Sequence, residues 1–276
     1  MISRRGAIGG LLATVAPTLA GCGSRQQQGT QALSFQASPT HPTAVGLDAV
    51  IDISHNVTVT DFAAVQRSNI LAVIHKVSEG GDWFDPSYPT RRLQAEAAGL
   101  LWGGYHFGTR QYSGEEQARA FLSACRPGPS TVMALDVEPN DANPRNTMRL
   151  GQAEAFVRTI HQMTGRLPLV YTHPRWANGE KYGRRGLRLE AAITPQSILA
   201  RCDLWLADYR EEPEVPYAWS NMGWKLWQYV ADEDPSHAAY GSTPRAVAGV
   251  THADRNLFYG DVPALYRFWR KKGTMA

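Results

Sequence analysis

The chain has 276 residues, 43% of them hydrophobic and 19% charged, enough apolar content for a sizeable core and too much for wholesale disorder. Its 25 glycines and 17 prolines are too few for a collagen-like or low-complexity chain, and three cysteines cannot build a disulfide scaffold. The net charge is +3, and without residues 1–21, which hold Arg4 and Arg5 and no acid, it is +1, so nucleic acid is not expected as a partner.

The N-terminus reads as an address. A short basic head with Arg4 and Arg5 precedes a small-residue apolar run from Ala7 to Ala20, too short to span a membrane and of signal-peptide length. Leu19-Ala20-Gly21-Cys22 then resembles the lipobox of bacterial lipoproteins, in which the cysteine is lipidated and becomes the new N-terminus. Ser3-Arg4-Arg5 also resembles a twin-arginine export signal, without the bulky residues that normally follow. A lipid on Cys22 implies attachment to a membrane surface without a spanning helix. Residues 23–43 are polar and aperiodic, and read as a flexible tether to one domain over 44–272.

Strands and helices alternate through that domain. A β-branched run at Val50 to Ile53 is followed by Thr60, a candidate helix cap, and then by the continuous apolar run from Ile70 to Ile74. A short helix over 91–98 ends at Gly99, and a third strand covers 100–107. Ser113 and Glu116 form a capping box for a helix whose apolar positions put Cys125 towards the core. The fourth strand, 131–138, stops at Pro139. A helix over 148–164 ends at Gly165, a fifth strand covers 167–172, and Thr194-Pro195 reads as the start of another helix. Strands over 204–209 and 225–230 follow, with a last short one before Asp254. The expected fold is α/β, a single-domain parallel β/α barrel with reduced late crossovers.

In such a barrel, function collects at the C-terminal ends of the strands. Asp52, Tyr105, Asp136, Glu138, Tyr171, Asp208 and Gln228 all fall there. On the fourth strand Met133, Leu135 and Val137 share one face, and Ala134, Asp136 and Glu138 share the other. The two carboxylates are thus roughly 7 Å apart at their Cα atoms. Like charges that close push each other's pKa apart, leaving one acid and one anion near neutrality. Glycosidic bond cleavage needs that combination: an acid for the leaving oxygen and an anion to support oxocarbenium character.

Eight segments come in order at barrel-strand spacing: Val50-Ile-Asp-Ile-Ser-His55, Ile74-His-Lys-Val-Ser-Glu-Gly80, Gly104-Tyr-His-Phe107, Ala134-Leu-Asp-Val-Glu138, Leu169-Val-Tyr-Thr172, Leu204-Trp-Leu-Ala-Asp-Tyr209, Leu226-Trp-Gln-Tyr229 and Ala253-Asp-Arg-Asn-Leu-Phe258. The series resembles the glycoside hydrolase family 25 lysozymes, which are N-acetylmuramidases. The resemblance implies a modified barrel with reduced helices and cleavage of the β-1,4 bond between N-acetylmuramic acid and N-acetylglucosamine in peptidoglycan, with no metal or other cofactor and as a monomer. It implies Glu138 as general acid and then base, and Asp136 as the group that supports positive charge or orients the 2-acetamido group. Asp52 and Asp254 line the same cleft. Tyr105, Tyr171, Tyr209 and Gln228 bind sugar. Attack by an enzyme nucleophile and by the acetamido oxygen both remain open at this stage.

The chain departs from the family pattern at Asn56-Val57-Thr58 and in a basic insertion over 178–193 that holds Lys181, Arg184, Arg185 and Arg188. The insertion reads either as a solvated loop or as a contact for acidic peptide stems or anionic wall polymers. His55 and His106 are expected to hold carboxylates or loops in place. Cys125 and Cys202 are each expected near the barrel bottom, bridged or free. Two other functions remain: a non-catalytic peptidoglycan-binding lipoprotein on the same barrel, and a metal-dependent deacetylase or amidase.

Overall fold

A computed structural model describes residues 46–210, 212–231 and 246–273. Cys22 and the tether lie outside the described residues. Nine strands are present among the described residues: β1 (Leu47–Ile53), β2 (Ala72–Glu79), β3 (Trp83–Phe84), β4 (Leu101–Phe107), β5 (Thr131–Asp136), β6 (Leu169–Thr172), β7 (Leu204–Ala207), β8 (Trp224–Val230) and β9 (Asp254–Phe258). Eight of them close into a ring in the order β1, β9, β8, β7, β6, β5, β4, β2, with β2 returning to β1; β3 folds back on the end of β2 as a hairpin.

The barrel is not wholly parallel, contrary to expectation. β9 runs antiparallel to both β1 and β8, while the other ring contacts are parallel. Antiparallel neighbours need no crossover helix, so the chain can leave the top of β8 and re-enter the sheet from the same end. Asp254 therefore starts the last strand instead of following it. The first residue of β9 meets the last residues of its neighbours, which brings Asp254 opposite Asp52 in register.

Alternation along the strands divides the core. Val50, Ile74, Val132, Ala134, Leu169, Trp205 and Leu226 fill the barrel interior. Ile51, Val73, Met133, Leu135, Val137 and Leu206 pack outward beneath the helices, as the pattern of the Asp136 strand requires. The outer layer comprises α1 (Phe62–Arg67), α2 (Tyr88–Ala97), α3 (Gly114–Cys125), α4 (Leu150–Thr164), α5 (Pro174–Ala177) and α6 (Val262–Gly273). Helix α6, absent from the expected elements, follows β9 and places Leu265 and Trp269 in the interior cluster; the Trp269 indole donates to the Trp102 carbonyl at 3.0 Å.

Several local expectations hold and two fail. The Ser113–Glu116 capping box is formed, and Gly99 and Gly165 take the positive φ that ends α2 and α4. The α1 cap is Asp61, whose carboxylate accepts from the Ala63 amide at 2.8 Å; Thr60 is engaged instead by the Gly249 carbonyl. The helix expected after Thr194-Pro195 is a 3-10 turn, Ile198–Arg201, begun by Ser197. Its bonds close at i+3 and end at Cys202, so no α-helical turn develops. Cys125 and Cys202 are both buried free thiols, not a bridge. No helix among the described residues is long and apolar enough to cross a membrane.

Candidate active site

The mouth of the barrel holds a hollow of about 220 Å³ lined by Asp52, Lys76, Tyr105, Asp136, Glu138 and Asp254. Asp52 is the penultimate residue of β1, Asp136 ends β5 and Asp254 begins β9, while Glu138 lies two residues past β5 on the inward face. The backbone past β5 stays aligned because the Val137 amide donates to the Tyr171 carbonyl at 2.9 Å. Thr172 ties down the same turn through its hydroxyl, which donates to the Val137 carbonyl at 2.9 Å.

Gln228 is the hub beneath the carboxylates. Its amide Nε2 donates to Asp52 at 3.0 Å and to Asp254 at 3.3 Å, and its Oε1 accepts from the hydroxyls of Tyr171 and Tyr209 at 2.9 and 2.8 Å. Asn256, two residues into β9, donates to Asp52 at 2.7 Å and accepts from the Trp205 indole at 2.6 Å. Both ends of the Gln228 amide are thus engaged within the protein. It lines the cleft, as expected of a sugar-binding residue, and it also fixes the groups that surround the hollow.

Burial and neighbouring charge raise both acids of the β5 end. Glu138 is pushed up to about 7, mainly by desolvation and then by the anions of Asp141 and Asp52, with Lys76 opposing. Asp136 is raised as well, by burial first and then by Glu138, and one of its oxygens, Oδ1, is buried without a hydrogen-bond partner. Like charges this close in a partly dry site hold a proton between them near neutrality. The Tyr105 hydroxyl feels Asp52, Asp136, Asp254 and Glu138, and together with burial they keep it a neutral phenol.

A wider cleft of about 710 Å³ continues from Glu138 past Tyr171, Tyr209 and Asp254 to Asn140, Asp141 and the insertion residues Tyr182 and Arg184. On the opposite side lies a polar trough of about 520 Å³, lined by His55, Asn56, Lys76, Trp83, Gln111 and Tyr112. Lys76 stands between the two. Its ammonium pairs with Glu79 at 2.8 Å and lies 5.0 and 5.1 Å from the ring centres of Trp83 and Phe107.

Asp52, Tyr105, Asp136, Glu138, Tyr171, Tyr209, Gln228 and Asp254 are therefore brought to one place, while Asp208 is not. Asp208 faces away, held by the Arg210 guanidinium at 2.8 Å. On β7, Trp205 and Ala207 lie inside the barrel. His55 donates to Asp85 at 2.8 Å through its backbone and lies 3.2 Å from it through Nδ1, and His106 meets Ser78 and Gln117, so both serve the loops. Sequence reasoning gave no role to Lys76, Asn256 or Tyr182. The period-two alternation from Ile74 to Lys76 and from Asp254 to Asn256 carried the first two, while nothing local pointed Tyr182 at the cleft.

The profile of the family described as glycosyl hydrolases family 25 matches residues 51–236. Lysozyme M1 of Streptomyces globisporus is 27% identical over 260 residues, covering 89% of this chain and 79% of that protein. An N,O-diacetylmuramidase of Chalaropsis is 29% identical over 138 residues, covering 45% of this chain and 65% of that protein. The bacterial lysozyme of Streptomyces coelicolor superposes with a TM-score of 0.66 at 23% identity, over 83% of this chain and 99% of the other, and supports the fold. The chain belongs to glycosyl hydrolases family 25 and is a glycoside hydrolase.

Proposed function

We propose that the protein is a muramidase that cleaves the β-1,4 bond between N-acetylmuramic acid and N-acetylglucosamine in peptidoglycan, exported and held at a membrane surface by a lipid on Cys22. The observation that carries the reading is the pair Asp136 and Glu138 at the end of β5, facing Asp52 and Asp254 across one hollow. Relatives named as a lysozyme and as an N,O-diacetylmuramidase support the same reaction.

Glu138, with a pKa near 7, is the general acid. It protonates the leaving glycosidic oxygen, then as a carboxylate takes the proton of the incoming water. Asp136 supports positive charge at the anomeric carbon or orients the 2-acetamido group. Asp52 and Asp254, fixed by Gln228 and Asn256, keep the field of the hollow negative without moving. Tyr105, Tyr171 and Tyr209 offer ring faces to the sugar; Tyr171 and Tyr209 spend their hydroxyl protons on Gln228. The partner is the glycan strand, and the enzyme acts as a monomer.

The reading is tested by mass spectrometry of purified peptidoglycan digested with the protein and with Glu138→Gln. New N-acetylmuramic acid reducing ends that vanish with the variant establish the muramidase. Intact glycan from both sinks it in favour of a binding protein, and trimmed peptides or lost acetyl groups indicate a different hydrolase. Mass measurement of the exported protein tests the anchor, which requires a diacylglycerol adduct on Cys22 that Cys22→Ser abolishes.

A further inference from the structure

A second hollow, of about 490 Å³, lies beside the catalytic cleft and is lined by three arginines from three separate loops. Arg110 follows β4, Arg149 precedes the first turn of α4, and Arg188 belongs to the basic insertion. Arg110 and Arg149 hydrogen-bond through their backbones, and none of the three guanidiniums meets a protein acceptor among the described residues. The acid of the hollow, Glu190, is turned to the start of α4, where its carboxylate accepts from the Leu150 amide at 3.0 Å. Trp176 completes the lining. It is 1% exposed, and its buried indole N–H has no acceptor. An indole nitrogen only donates, and buried donors are rarely left unpaired. Three exposed cationic forks converging on one hollow make a site for an anion with more than one acceptor oxygen.

The hollow and the cleft share their walls. In the loop after β5, residues 138–142 line the cleft, while Pro144, Thr147, Met148 and Arg149 line the hollow. In the insertion, Tyr182 and Arg184 line the cleft, while Leu187 and Arg188 line the hollow. Tyr182 and Leu187 pair as an antiparallel bridge, which puts their Cα atoms about 5 Å apart. The insertion is tied to the β5 loop through Asp141, which accepts from the Arg184 amide and from the Arg185 guanidinium, each at 3.3 Å. His173 stacks on Tyr182 with ring centres 3.8 Å apart. One hairpin width therefore separates the two spaces, a span that two extended peptide residues cover at roughly 3.5 Å each.

We propose that this hollow binds a free carboxylate of the peptide that branches from the muramic acid unit of the substrate, through Arg110, Arg149 and Arg188. The proposal rests on the muramidase reading for the identity of the strand in the cleft. A group that branches from the substrate must lie within a few ångströms of the cleft, as this hollow does. An independent phosphate polymer has no such constraint, and this favours the peptide. The basic insertion, on this view, selects glycan that still carries its peptides.

The test compares the full chain with its Arg149→Ala/Arg188→Ala variant, both changes being at exposed positions, on glycan that keeps its peptides and on glycan stripped of them by an amidase. The parent is expected to show a KM about tenfold lower on peptide-bearing glycan, and the variant to lose that advantage with kcat and the stripped-glycan KM unchanged. Equal KM on both glycans in the parent, or equal losses on both in the variant, overturns the proposal while leaving the muramidase reading intact. Calorimetry with a free muropeptide-type tetrapeptide, its fully amidated form and inorganic phosphate needs no turnover. Binding of the acidic tetrapeptide alone, weakened about tenfold by the double variant, sustains the site even if neither glycan is cleaved. Phosphate binding as tightly as the tetrapeptide, or neither binding, overturns it.

Discussion

Gln228 Nε2 lies 3.0 Å from Asp52 Oδ2, a contact that joins residues 176 positions apart and sets one wall of the catalytic hollow. The same amide reaches Asp254, and its carbonyl end receives two phenols. Gln228→Glu puts a third carboxylate against Asp52 and Asp254 while keeping the acceptor for the tyrosines. The expected result is a kcat reduced at least tenfold and a fold weaker by about 2 kcal/mol at pH 7, with part of the stability recovered at pH 5. Denaturant melts at both pH values check it, and unchanged melts would show that the amide is not holding ionised carboxylates.

Removing the acid itself separates activity from stability. Glu138→Gln is expected to lower kcat by about 10²- to 10⁴-fold, the usual contribution of a general acid. Its effect on folding has the opposite sign. Because the folded-state pKa is raised, from 4.5 to about 7, stability linked to this proton is complete below pH 4.5 and is lost as pH rises through 7. The glutamine variant escapes that loss. Above pH 7.5 it should be more stable than the parent by about 1–3 kcal/mol, with the difference vanishing below pH 4.5.

The rate should follow the same proton. The alkaline limb of kcat/KM is expected near pH 7, since the ionised form of Glu138 cannot protonate the leaving group. Asp141 is the charge that contributes most to the elevation after burial. Asp141→Asn keeps acceptors for the insertion and removes the anion, so the limb should move to lower pH. A limb that stays in place would assign it to another group.

Outside the hollow, Asp48 and Arg255 form a buried ion pair at 2.8 Å, and the Tyr229 hydroxyl donates to Asp48 at 2.9 Å while accepting from Arg255 at 3.0 Å. The three side chains come from β1, β9 and β8, so they lock the antiparallel strand between its neighbours. Arg255→Ala strands the carboxylate of Asp48 and is expected to cost about 3–5 kcal/mol in denaturant unfolding. Asp48→Leu/Arg255→Met removes both charges and should restore most of that loss. If it does, the pair specifies strand register more than it stabilises the fold.

Much of this arrangement was legible in the sequence because it depends on local periodicity. Alternation on β5 separates Met133, Leu135 and Val137 from Ala134, Asp136 and Glu138 without knowledge of any other strand. The capping box at Ser113 and the helix-ending glycines at 99 and 165 are equally local, since each is a matter of backbone groups within one turn. Function at strand ends follows from the barrel once the alternation of strands and helices is recognised. The eight ordered segments narrowed that barrel to one family, and residues 51–236 belong to it.

Tertiary structure decided what depends on direction and on distant partners. The sequence of β9 is the same whether it runs up or down the barrel, and only its pairing with β1 and β8 turns Asp254 towards the mouth. Gln228 is polar at a strand end in either reading. Four partners outside its own strand engage both ends of its amide and make it the clamp of the site. The basic insertion has no periodicity to place it. Asp141 and His173 anchor it between the cleft and the arginine hollow, so its position is a property of contacts that no local pattern encodes.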